Sequence, residues 1–349
     1  MNGKNLRIIN TLILILTLIL GVTGIYGLVW PFPTIIFDLH RIAGWAFILL
    51  IPWKTIIAIR SLRRGMDKRF DRNVMIIVSV ISAIAVLVAL ILAIAWKWNL
   101  GDYYVWIAGY GYSGIGWHWG ITLYVLPLLV LHIWRRWHRP RKTDFLGRRQ
   151  ALQLIGLGIA SLVGWRVAEA LSGERQSPGS PRRFTGSREA GSFSGLAYPV
   201  TTGPGQGQIR LDPSTWKLKI GGAVEHPFTL NYDEALALST SKMIATLDCT
   251  GGWYTTQIWQ GIRLIDLLKE AGVREERIVI ALRDVSGYTA HITPAEIADV
   301  LLAMKVGGQI LDHQHGYPMR AVVPSRRGWH WVKWLMEIEI SNPSNSLIF

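Results

Sequence analysis

Five apolar runs, each long enough to cross a bilayer, constrain the fold of this chain more than any other feature. They lie at residues 8–30, 35–59, 74–96, 115–134 and 151–170. A helix needs about 20 predominantly apolar residues to span the hydrocarbon core of a membrane. Half of the 349 residues are hydrophobic, which is a high share for a soluble protein. The sequence therefore predicts a membrane α-helical bundle with five transmembrane helices.

The net charge of +14 lies mostly beside these runs. Lys and Arg cluster at residues 60–72 and 134–149, and Lys4 and Arg7 precede the first run. Basic residues that flank membrane spans stay on the cytoplasmic side. The charge therefore indicates orientation in the bilayer, and we expect no nucleic-acid partner. It predicts a multi-pass cell-membrane protein with a cytoplasmic N-terminus and an extracytoplasmic C-terminal domain.

Changes in composition and hydrophobic pattern divide the chain into four parts. We predict a four-helix transmembrane domain at 1–140, a fifth helix at 141–171, a segment rich in Gly, Ser, Pro and Arg at 172–207, and a folded domain at 208–349. Short β-type runs alternate with two helical patterns in the last part, which predicts a mixed α+β domain. The segment 172–207 is either a tether or a stretch wrapped over the next domain.

Histidines inside the apolar runs indicate haem. His40 and His118 lie near the outer ends of the second and fourth runs, and two imidazoles at equal depth can bind one haem iron from opposite faces. His118 and His132 are 14 residues apart, nearly four helical turns, and so are His40 and Lys54. A second haem would use His132 with a neutral Lys54. Alternatively, Lys54 extends to the inner surface, and an intramembrane His can be a hydrogen-bonded packing residue.

Residues 8–140 resemble the four-helix cytochrome b membrane subunits of bacterial redox enzymes, whose helices carry His at spacings of 13 to 14 residues. Lys54 stands where that pattern has a His. The resemblance implies haem b, with one haem or two.

The C-terminal part contains one thiol and a basic cluster. Cys249 ends an apolar run and precedes Gly251 and Gly252, which would let a bulky group approach the backbone. A lone Cys can equally be a small buried hydrophobe. Residues 315–334 interleave aromatic residues with basic side chains suited to an anionic, phosphate-bearing ligand. These basic residues are His315, Arg320, Arg327 and Lys333. A solvated basic face is the alternative.

Several motifs in order carry a second resemblance. They are the stretches 216–230, 248–254 (DCTGGWY), 259–263 (WQGIR), 264–272, 300–304 (VLLAM), 308–311 (GQIL), 315–320 (HGYPMR) and 332–335 (VKWL). Together they resemble the molybdopterin-binding domain of the sulfite oxidase family, in its bacterial branch that includes the periplasmic methionine sulfoxide reductase.

This resemblance implies specific roles for the residues. Cys249 would ligate molybdenum, and Tyr288 would donate a hydrogen bond to a metal oxo group or a substrate oxygen. The basic residues would hold the pterin and its phosphate; they are His315, Arg320, Arg327 and Lys333. Animal and plant sulfite oxidases follow the ligand Cys with an Arg-containing stretch that binds sulfite, whereas this chain has Gly-Gly-Trp-Tyr at 251–254.

The pair Arg148-Arg149 before the fifth run resembles a twin-arginine export signal, which suits a domain that leaves the cytoplasm folded and loaded with cofactor. Ordinary flanking charge is the alternative.

The function predicted from these features is a membrane-bound, molybdenum-dependent oxidoreductase. It would couple oxygen-atom transfer on an extracytoplasmic small molecule, of the sulfur-oxyanion or S-/N-oxide type, to the quinone pool through haem b. The direction of electron flow stays open. One alternative is a non-catalytic haem-bearing subunit with a degenerate molybdopterin domain. Another is a transporter, which would favour broken helices and a polar site at the bilayer midplane.

Overall fold

The structure is a computed structural model that describes residues 3–29, 34–63, 70–100, 104–107, 110–136, 139–173, 183–201, 210–273 and 278–341. The chain divides into two compact units, whose main parts are residues 32–180 with the N-terminal helix, and residues 187–349. Parts of three predicted features lie outside the described residues. They are the basic loop at 64–69, the basic residues at 137–138, and the stretches 174–182 and 202–209 of the Gly- and Ser-rich segment.

The first unit is helical, and five of its described helices have the length and apolar composition to cross a membrane. They are α1 (Gly3–Val29), α2 (Thr34–Arg63), α3 (Phe70–Lys97), α4 (Gly114–Arg136) and α6 (Arg148–Gly173). The prediction of five long apolar helices is therefore confirmed. A hairpin of β1 (Tyr104–Ile107) and β2 (Tyr110–Ser113) precedes α4, and a four-residue helix α5 (Lys142–Phe145) follows it.

Two glycines of α1 face side chains of α2. A Cβ at Gly24 would lie 3.5 Å from Cε1 of His40, and a Cβ at Gly27 would lie 3.5 Å from the ring of Phe37, both ordinary van der Waals contacts. At the cytoplasmic end predicted from the charge, Arg7 of α1 donates two hydrogen bonds, of 2.7 and 2.8 Å, to the carboxylate of Asp144 in α5.

The second unit is the predicted mixed α+β domain, built on two sheets. Its elements are β3 (Arg188–Glu189), β4 (Lys217–Gly222), β5 (Phe228–Asn231), α7 (Tyr232–Leu238), β6 (Ser241–Asp248), β7 (Trp253–Arg263), α8 (Leu264–Glu270), β8 (Val279–Asp284), β9 (Thr289–Ile292), β10 (Leu301–Val306), β11 (Gln309–Ile310), β12 (Arg320–Val322) and β13 (Leu335–Ser341). Short 3₁₀ helices lie at Pro294–Asp299 and Gly328–His330.

The larger sheet has the strand order β11-β10-β7-β3, with β12 added beside β10 and β6 beside β7. The second sheet runs β5-β4-β13-β8-β9, in which β4 and β13 are parallel. Its inner residues and those of β7 and β10 form a core that includes Trp216, Trp259, Trp331 and Trp334, all fully buried. At Gly261 of β7, an added Cβ would lie 2.0 Å from the carbonyl oxygen of Leu302, so the two strands meet where only glycine fits.

The predicted boundary at residue 208 needs correction, because the described residues 187–201 belong to the second unit. Strand β3 pairs in parallel with the start of β7, and Phe193 donates its N–H to the carbonyl of Thr256 at 2.8 Å. This stretch is thus wrapped over the domain, as one of the two readings of 172–207 proposed. Backbone hydrogen bonds and glycine turns hold it, and neither produces the apolar periodicity by which a strand is recognised in a sequence.

Candidate functional site

Cys249 lies where β6 turns into β7. Its N–H donates to the carbonyl of Trp253 at 2.8 Å, and the N–H of Gly252 returns to the carbonyl of Cys249 at 3.1 Å. Gly252 has φ of 89°, which glycine adopts without strain. The N–H of Gly251 lies 3.3 Å from the Cys249 Sγ and donates to it. The turn therefore fixes the position of the sulfur and directs a backbone N–H donor at it.

The sulfur faces a pocket of about 300 Å³, including space open to solvent. Four stretches of the second unit line it: the ends of β6 and β7, the wrapped segment, the 315–320 turn and the 328–333 turn. The lining residues are Tyr198, Pro199, Val200, Thr201, Leu247, Cys249, Trp253, His315, Arg320, Gly328 and Lys333. The structure thus brings together four of the residues predicted from the sequence, namely Cys249, His315, Arg320 and Lys333.

Arg320 contributes a buried positive charge to this pocket. It is 1% exposed, and its Nη1 donates to the carbonyl of His315 at 3.0 Å and to the hydroxyl of Tyr198 at 3.3 Å. Its guanidinium carbon lies 5.2 Å from the centre of the Trp259 ring. Within the described residues, no carboxylate pairs with Arg320, and its Nε has no hydrogen-bond partner. A buried charge without a counter-ion is costly, so the site fits an anionic ligand.

Lys333 adds a second cation. Its Nζ donates to the carbonyls of Gln314 and Thr201, at 2.8 and 3.0 Å. Burial and, to a smaller extent, the nearby Arg320 lower the pKa of Lys333 to about 7, although Cys249 and Asp312 oppose the shift. A bound anion would favour the charged form of Lys333. Lys333 and Arg320 therefore both fit an anionic ligand.

His315 holds the wrapped segment in place. Its Nδ1 lies 2.8 Å from a carboxylate oxygen of Asp312, and its Nε2 lies 3.2 Å from the carbonyl oxygen of Tyr198. The Tyr198 ring packs edge-on against the imidazole, 4.2 Å away. Burial lowers the pKa of His315, and the neighbouring Asp312 opposes this shift. Because both ring nitrogens already contact protein acceptors, His315 shapes the pocket wall through Tyr198.

Arg327 supports the Cys249 turn from behind. It is buried, and its Nη2 donates to the carbonyl of Cys249 at 2.9 Å and lies 3.6 Å from the carboxylate of Asp248. Asp248 also accepts a 2.7 Å hydrogen bond from the hydroxyl of Ser187. The structure therefore places Arg327 against the Cys249 turn and not among the residues that line the pocket, and its predicted contact with the pterin stays a prediction.

The predicted hydrogen bond from Tyr288 to a metal oxo group or a substrate oxygen stays a prediction. The Tyr288 hydroxyl donates to the carbonyl of Trp329 at 2.9 Å, and this residue is not among those that line the pocket. Burial raises the pKa of Tyr288 to about 12, and the nearby Asp284 adds to the shift. Tyr288 thus braces the turn that carries the lining residue Gly328. Tyr288 reaches the carbonyl of Trp329 from the turn between β8 and β9.

Sequence reasoning did not predict that residues 198–201 form part of the pocket wall, because it left the segment 172–207 as either a tether or a stretch wrapped over the domain and assigned no site residue to it. Thr201 accepts a 3.0 Å hydrogen bond from the indole Nε1 of Trp253 and receives the Lys333 bond on its carbonyl. The signal that could have found it is the Tyr198-Pro-Val sequence, an aromatic and apolar island in a polar stretch.

In the helical unit, the structure brings His40 and His118 together. Their ring centres are 6.3 Å apart and their planes are nearly perpendicular, at 88°. Metal–nitrogen bonds of about 2 Å to two imidazoles would separate their ring centres by about 6 Å. The predicted pairing of these two residues is compatible with one iron between them.

Hydrogen bonds identify the tautomer of each ring. His118 Nδ1 lies 2.9 Å from the carbonyl oxygen of Ala89, so this nitrogen carries the hydrogen. Thr23 donates its hydroxyl hydrogen to the carbonyl of Ile19 at 2.6 Å and therefore accepts from Nδ1 of His40 at 2.8 Å. In the described part of the chain, neither Nε2 has a hydrogen-bond partner. Both rings thus present an Nε2 lone pair, as metal-ligating histidines do.

The inner pair has supports of the same kind. His132 Nδ1 lies 2.7 Å from the hydroxyl of Ser79, and Lys54 Nζ donates to the amide oxygen of Asn10 at 2.9 Å. Across the described residues, no three His, Cys, Asp or Glu side chains are grouped to hold a bare metal ion.

Comparisons with known proteins agree with the C-terminal pocket. Residues 205–347 match the family described as oxidoreductase molybdopterin binding domain. The uncharacterized oxidoreductase YuiH of Bacillus subtilis is 31% identical over 137 residues, which cover 38% of this chain and 69% of that protein. The chain belongs to this family of molybdopterin-binding oxidoreductases.

Within this family, the chain is of the sulfite oxidase and MsrP type. Mitochondrial sulfite oxidase of Rattus norvegicus is 30% identical over 164 residues, or 38% of this chain and 30% of that protein. The protein-methionine-sulfoxide reductase catalytic subunit MsrP of Xanthomonas axonopodis pv. citri is 27% identical over 161 residues, or 39% of this chain and 48% of that protein. The chain therefore spans less than half the length of these two relatives.

Proposed function

We propose that this oxidoreductase is membrane-bound and couples oxygen-atom transfer on an extracytoplasmic substrate to the quinone pool through haem b. The observation that carries the catalytic part is the pocket that is lined both by Cys249 and by the buried, unpaired charge of Arg320. The observation that carries the electron-transfer part is the pairing of His40 and His118 across 6.3 Å.

Five residues in and behind the pocket have defined tasks in this proposal. Cys249 supplies the thiolate to molybdenum, and Arg327 fixes the carbonyl of that residue. Arg320 and Lys333 neutralise the anionic pterin, and His315 positions the wall that encloses it. The molybdenum cofactor, when bound, supplies the two-electron oxygen-atom transfer, and the protein supplies binding, orientation and electrostatics.

The pocket lining favours an uncharged S- or N-oxide over sulfite as the substrate. Its two cationic side chains are the ones assigned to the pterin, and the lining around Cys249 is completed by Val200, Leu247 and Trp253. An anion would need a further donor to offset its desolvation, whereas the dipole of an oxide needs only one or two hydrogen bonds. Electrons would then flow from quinol to the substrate.

In the membrane part, His40 and His118 would be the axial ligands of a haem b. Two neutral imidazoles with oriented Nε2 lone pairs favour a six-coordinate iron that transfers single electrons. The positions of the basic clusters support a cytoplasmic N-terminus and a catalytic domain on the opposite side. The twin-arginine motif lies at the start of α6 and remains a proposed export signal.

Metal and haem analysis of the detergent-purified protein tests this function. We expect the wild type to contain molybdenum and the Cys249→Ser protein to lose it. We expect a haem b spectrum that is lost or shifted in His118→Ala but unchanged in Cys249→Ser. Oxidation of the haem by added sulfoxide or N-oxide should require Cys249. Haem without molybdenum, in cells that make the cofactor, would favour the non-catalytic alternative.

A further inference from the structure

One face of the larger sheet points away from the Cys249 pocket. Along β7, Trp253 lines the pocket and Trp259 packs on Arg320, so the residues between them point to the opposite face. Cross-strand pairing extends this opposite face over β6, β10 and β11. We call it the outer face, and its side chains are those of Lys242, Ile244, Thr246, Thr256, Ile258, Gln260, Lys305 and Ile310.

Isoleucines make part of the outer face apolar. Ile244 and Ile258 lie directly opposite one another on β6 and β7, and they are 65% and 41% exposed. Ile310 of β11, which lies opposite Lys305 of β10, is 46% exposed. Directly opposed side chains on neighbouring strands have Cβ atoms about 5 Å apart, so Ile244 and Ile258 form one apolar patch open to water. A contiguous apolar patch with polar side chains around it indicates an interaction surface.

Phe193 borders the outer face. Its N–H donates to the carbonyl of Thr256 at 2.8 Å, and its side chain is exposed. Its φ is 58°, in the left-handed region that is unfavourable for a bulky residue. The chain therefore holds an exposed aromatic side chain beside the patch against its backbone preference, which favours a role beyond packing within the domain.

Two lysines give the outer face a positive charge. Lys242 of β6 and Lys305 of β10 both lie opposite Gln260 of β7, so the three residues form one row across the sheet. Within the described residues, neither lysine forms an ion pair or a side-chain hydrogen bond. The side chains of the outer face include no carboxylate. The face therefore combines exposed apolar side chains with positive charge that no acidic side chain on the same face offsets.

We propose that the outer face docks on the anionic headgroups of membrane phospholipids, an inference that rests on the proposed membrane location. Five helices of the same chain are long and apolar enough to cross a bilayer, which would hold this domain beside lipid. Apolar side chains enter the boundary between headgroups and acyl chains, and each Lys near an anionic surface strengthens binding by roughly fivefold. Because the pocket lies on the other side of the sheet, docking leaves it free for substrate.

A second copy of this chain is a less suitable occupant of the outer face. A two-fold contact through this face would place the same surface on both sides. It would bring copies of Lys242 and Lys305 together without a carboxylate, and like charges in an interface oppose association. An anionic lipid surface has the complementary charge.

Spin labelling of the full-length protein in lipid nanodiscs tests this inference. Ile258→Cys places a nitroxide on the outer face. Val285→Cys is the matched control, because Val285 is 43% exposed and lies between β8 and β9 of the other sheet. Cys249, the only native cysteine, is buried, and its background labelling is measured in the wild type. In nanodiscs of phosphatidylcholine mixed with phosphatidylglycerol, oxygen should relax the label at 258 several-fold more than the control label, and a water-soluble nickel chelate several-fold less.

Removal of the charges tests the role of anionic lipid. Lys242→Gln combined with Lys305→Gln should lower the ratio of docked to free domain by roughly 30-fold and return the label at 258 to the accessibility of the control. Nanodiscs of phosphatidylcholine alone, or about 0.5 M NaCl, should have the same effect. If Ile258→Cys does not accumulate, Ile244→Cys reports on the same patch.

The outcomes separate this inference from the proposed membrane location. Failure of the wild type to insert into nanodiscs overturns that location. Insertion with equal accessibility at 258 and 285 overturns only the docking of the outer face. A label at 258 that is shielded from both oxygen and nickel shows that protein covers the face, and it refutes the lipid assignment. Docking that persists in phosphatidylcholine alone refutes the role of anionic headgroups.

Discussion

The hydroxyl of Thr23 offers a direct test of the haem site proposed at His40 and His118. It donates to the carbonyl of Ile19 and accepts from Nδ1 of His40 at 2.8 Å. Thr23→Val keeps the shape of the side chain but removes the acceptor, so the imidazole N–H loses its partner in an apolar helix pair. We expect the ring to lose its fixed tautomer and orientation, and the haem to bind more weakly.

The magnitude follows from the cost of an unsatisfied buried donor, about 1–3 kcal/mol. This corresponds to a loss of haem affinity of roughly 5- to 150-fold, in the range of about 10- to 100-fold known for second-shell partners. The Nδ1–H bond also raises the basicity of the imidazole and so favours ferric iron. Loss of this bond in Thr23→Val should therefore destabilise the ferric haem more than the ferrous haem. If the difference is about 1 kcal/mol, the midpoint potential of this one-electron couple should rise by about 40 mV.

The assay is haem titration of the apo-protein together with a redox titration of the purified holo-protein. Thr17→Val is the matched control, because Thr17 makes the same hydroxyl bond to its own helix, to the carbonyl of Ile13 at 2.7 Å. Thr23→Ser should restore both affinity and potential. A Thr23→Val protein with wild-type affinity and potential, or one indistinguishable from Thr17→Val, would refute the assignment of His40 as an oriented haem ligand.

Three further predictions concern the C-terminal domain. Arg320→Gln should keep the fold but lower the molybdenum content about tenfold or more, measured by elemental analysis, because the main counter-charge of the pterin is removed. Gly222→Ala should destabilise the domain by roughly 3 kcal/mol in thermal unfolding, since φ is 94° and the new Cβ would lie 2.1 Å from the carbonyl oxygen of Ile340. Burial would raise the pKa of Glu296, but hydrogen bonds from Arg326, Thr293 and Ser325 outweigh it and lower the pKa to about 2. The wild type should therefore be more stable than Glu296→Gln above about pH 4.3, and the difference in melting temperature should close as the pH falls toward 2; a difference independent of pH would contradict this.

The sequence predicted the elements whose formation depends on apolar periodicity or length. The five long helices lie where the apolar runs placed them, and strands with short helices make up the part predicted as a mixed α+β domain. The β1–β2 hairpin and the wrapped segment at 187–201 were not predicted as ordered elements, because backbone pairing and glycine turns define them. Neither source of order changes the hydrophobic pattern along the chain.

The site shows the same division. Motifs predicted that Cys249, Arg320 and Lys333 share a site, and the structure brings these three side chains to one pocket. Motifs could not show whether a residue lines a pocket or supports its wall. Arg327 donates to the carbonyl of Cys249, and Tyr288 donates to the carbonyl of Trp329, next to the lining residue Gly328. No sequence pattern reveals such bonds to main-chain carbonyls.

The two candidate sites share a physical reason for their sparse sequence signals. A molybdenum bound by a dithiolene needs one thiolate from the protein, and an iron in a porphyrin needs two nitrogens, so neither requires a cluster of ligand residues. The specificity of each site for its cofactor then depends on the groups that orient these few ligands. At Cys249 these are the N–H of Gly251 and the guanidinium of Arg327, and at His40 it is the hydroxyl of Thr23. Substitutions at the supports should therefore discriminate between a cofactor site and a packing arrangement more sharply than removal of the ligands, because a packed but empty site would tolerate the loss of one oriented hydrogen bond.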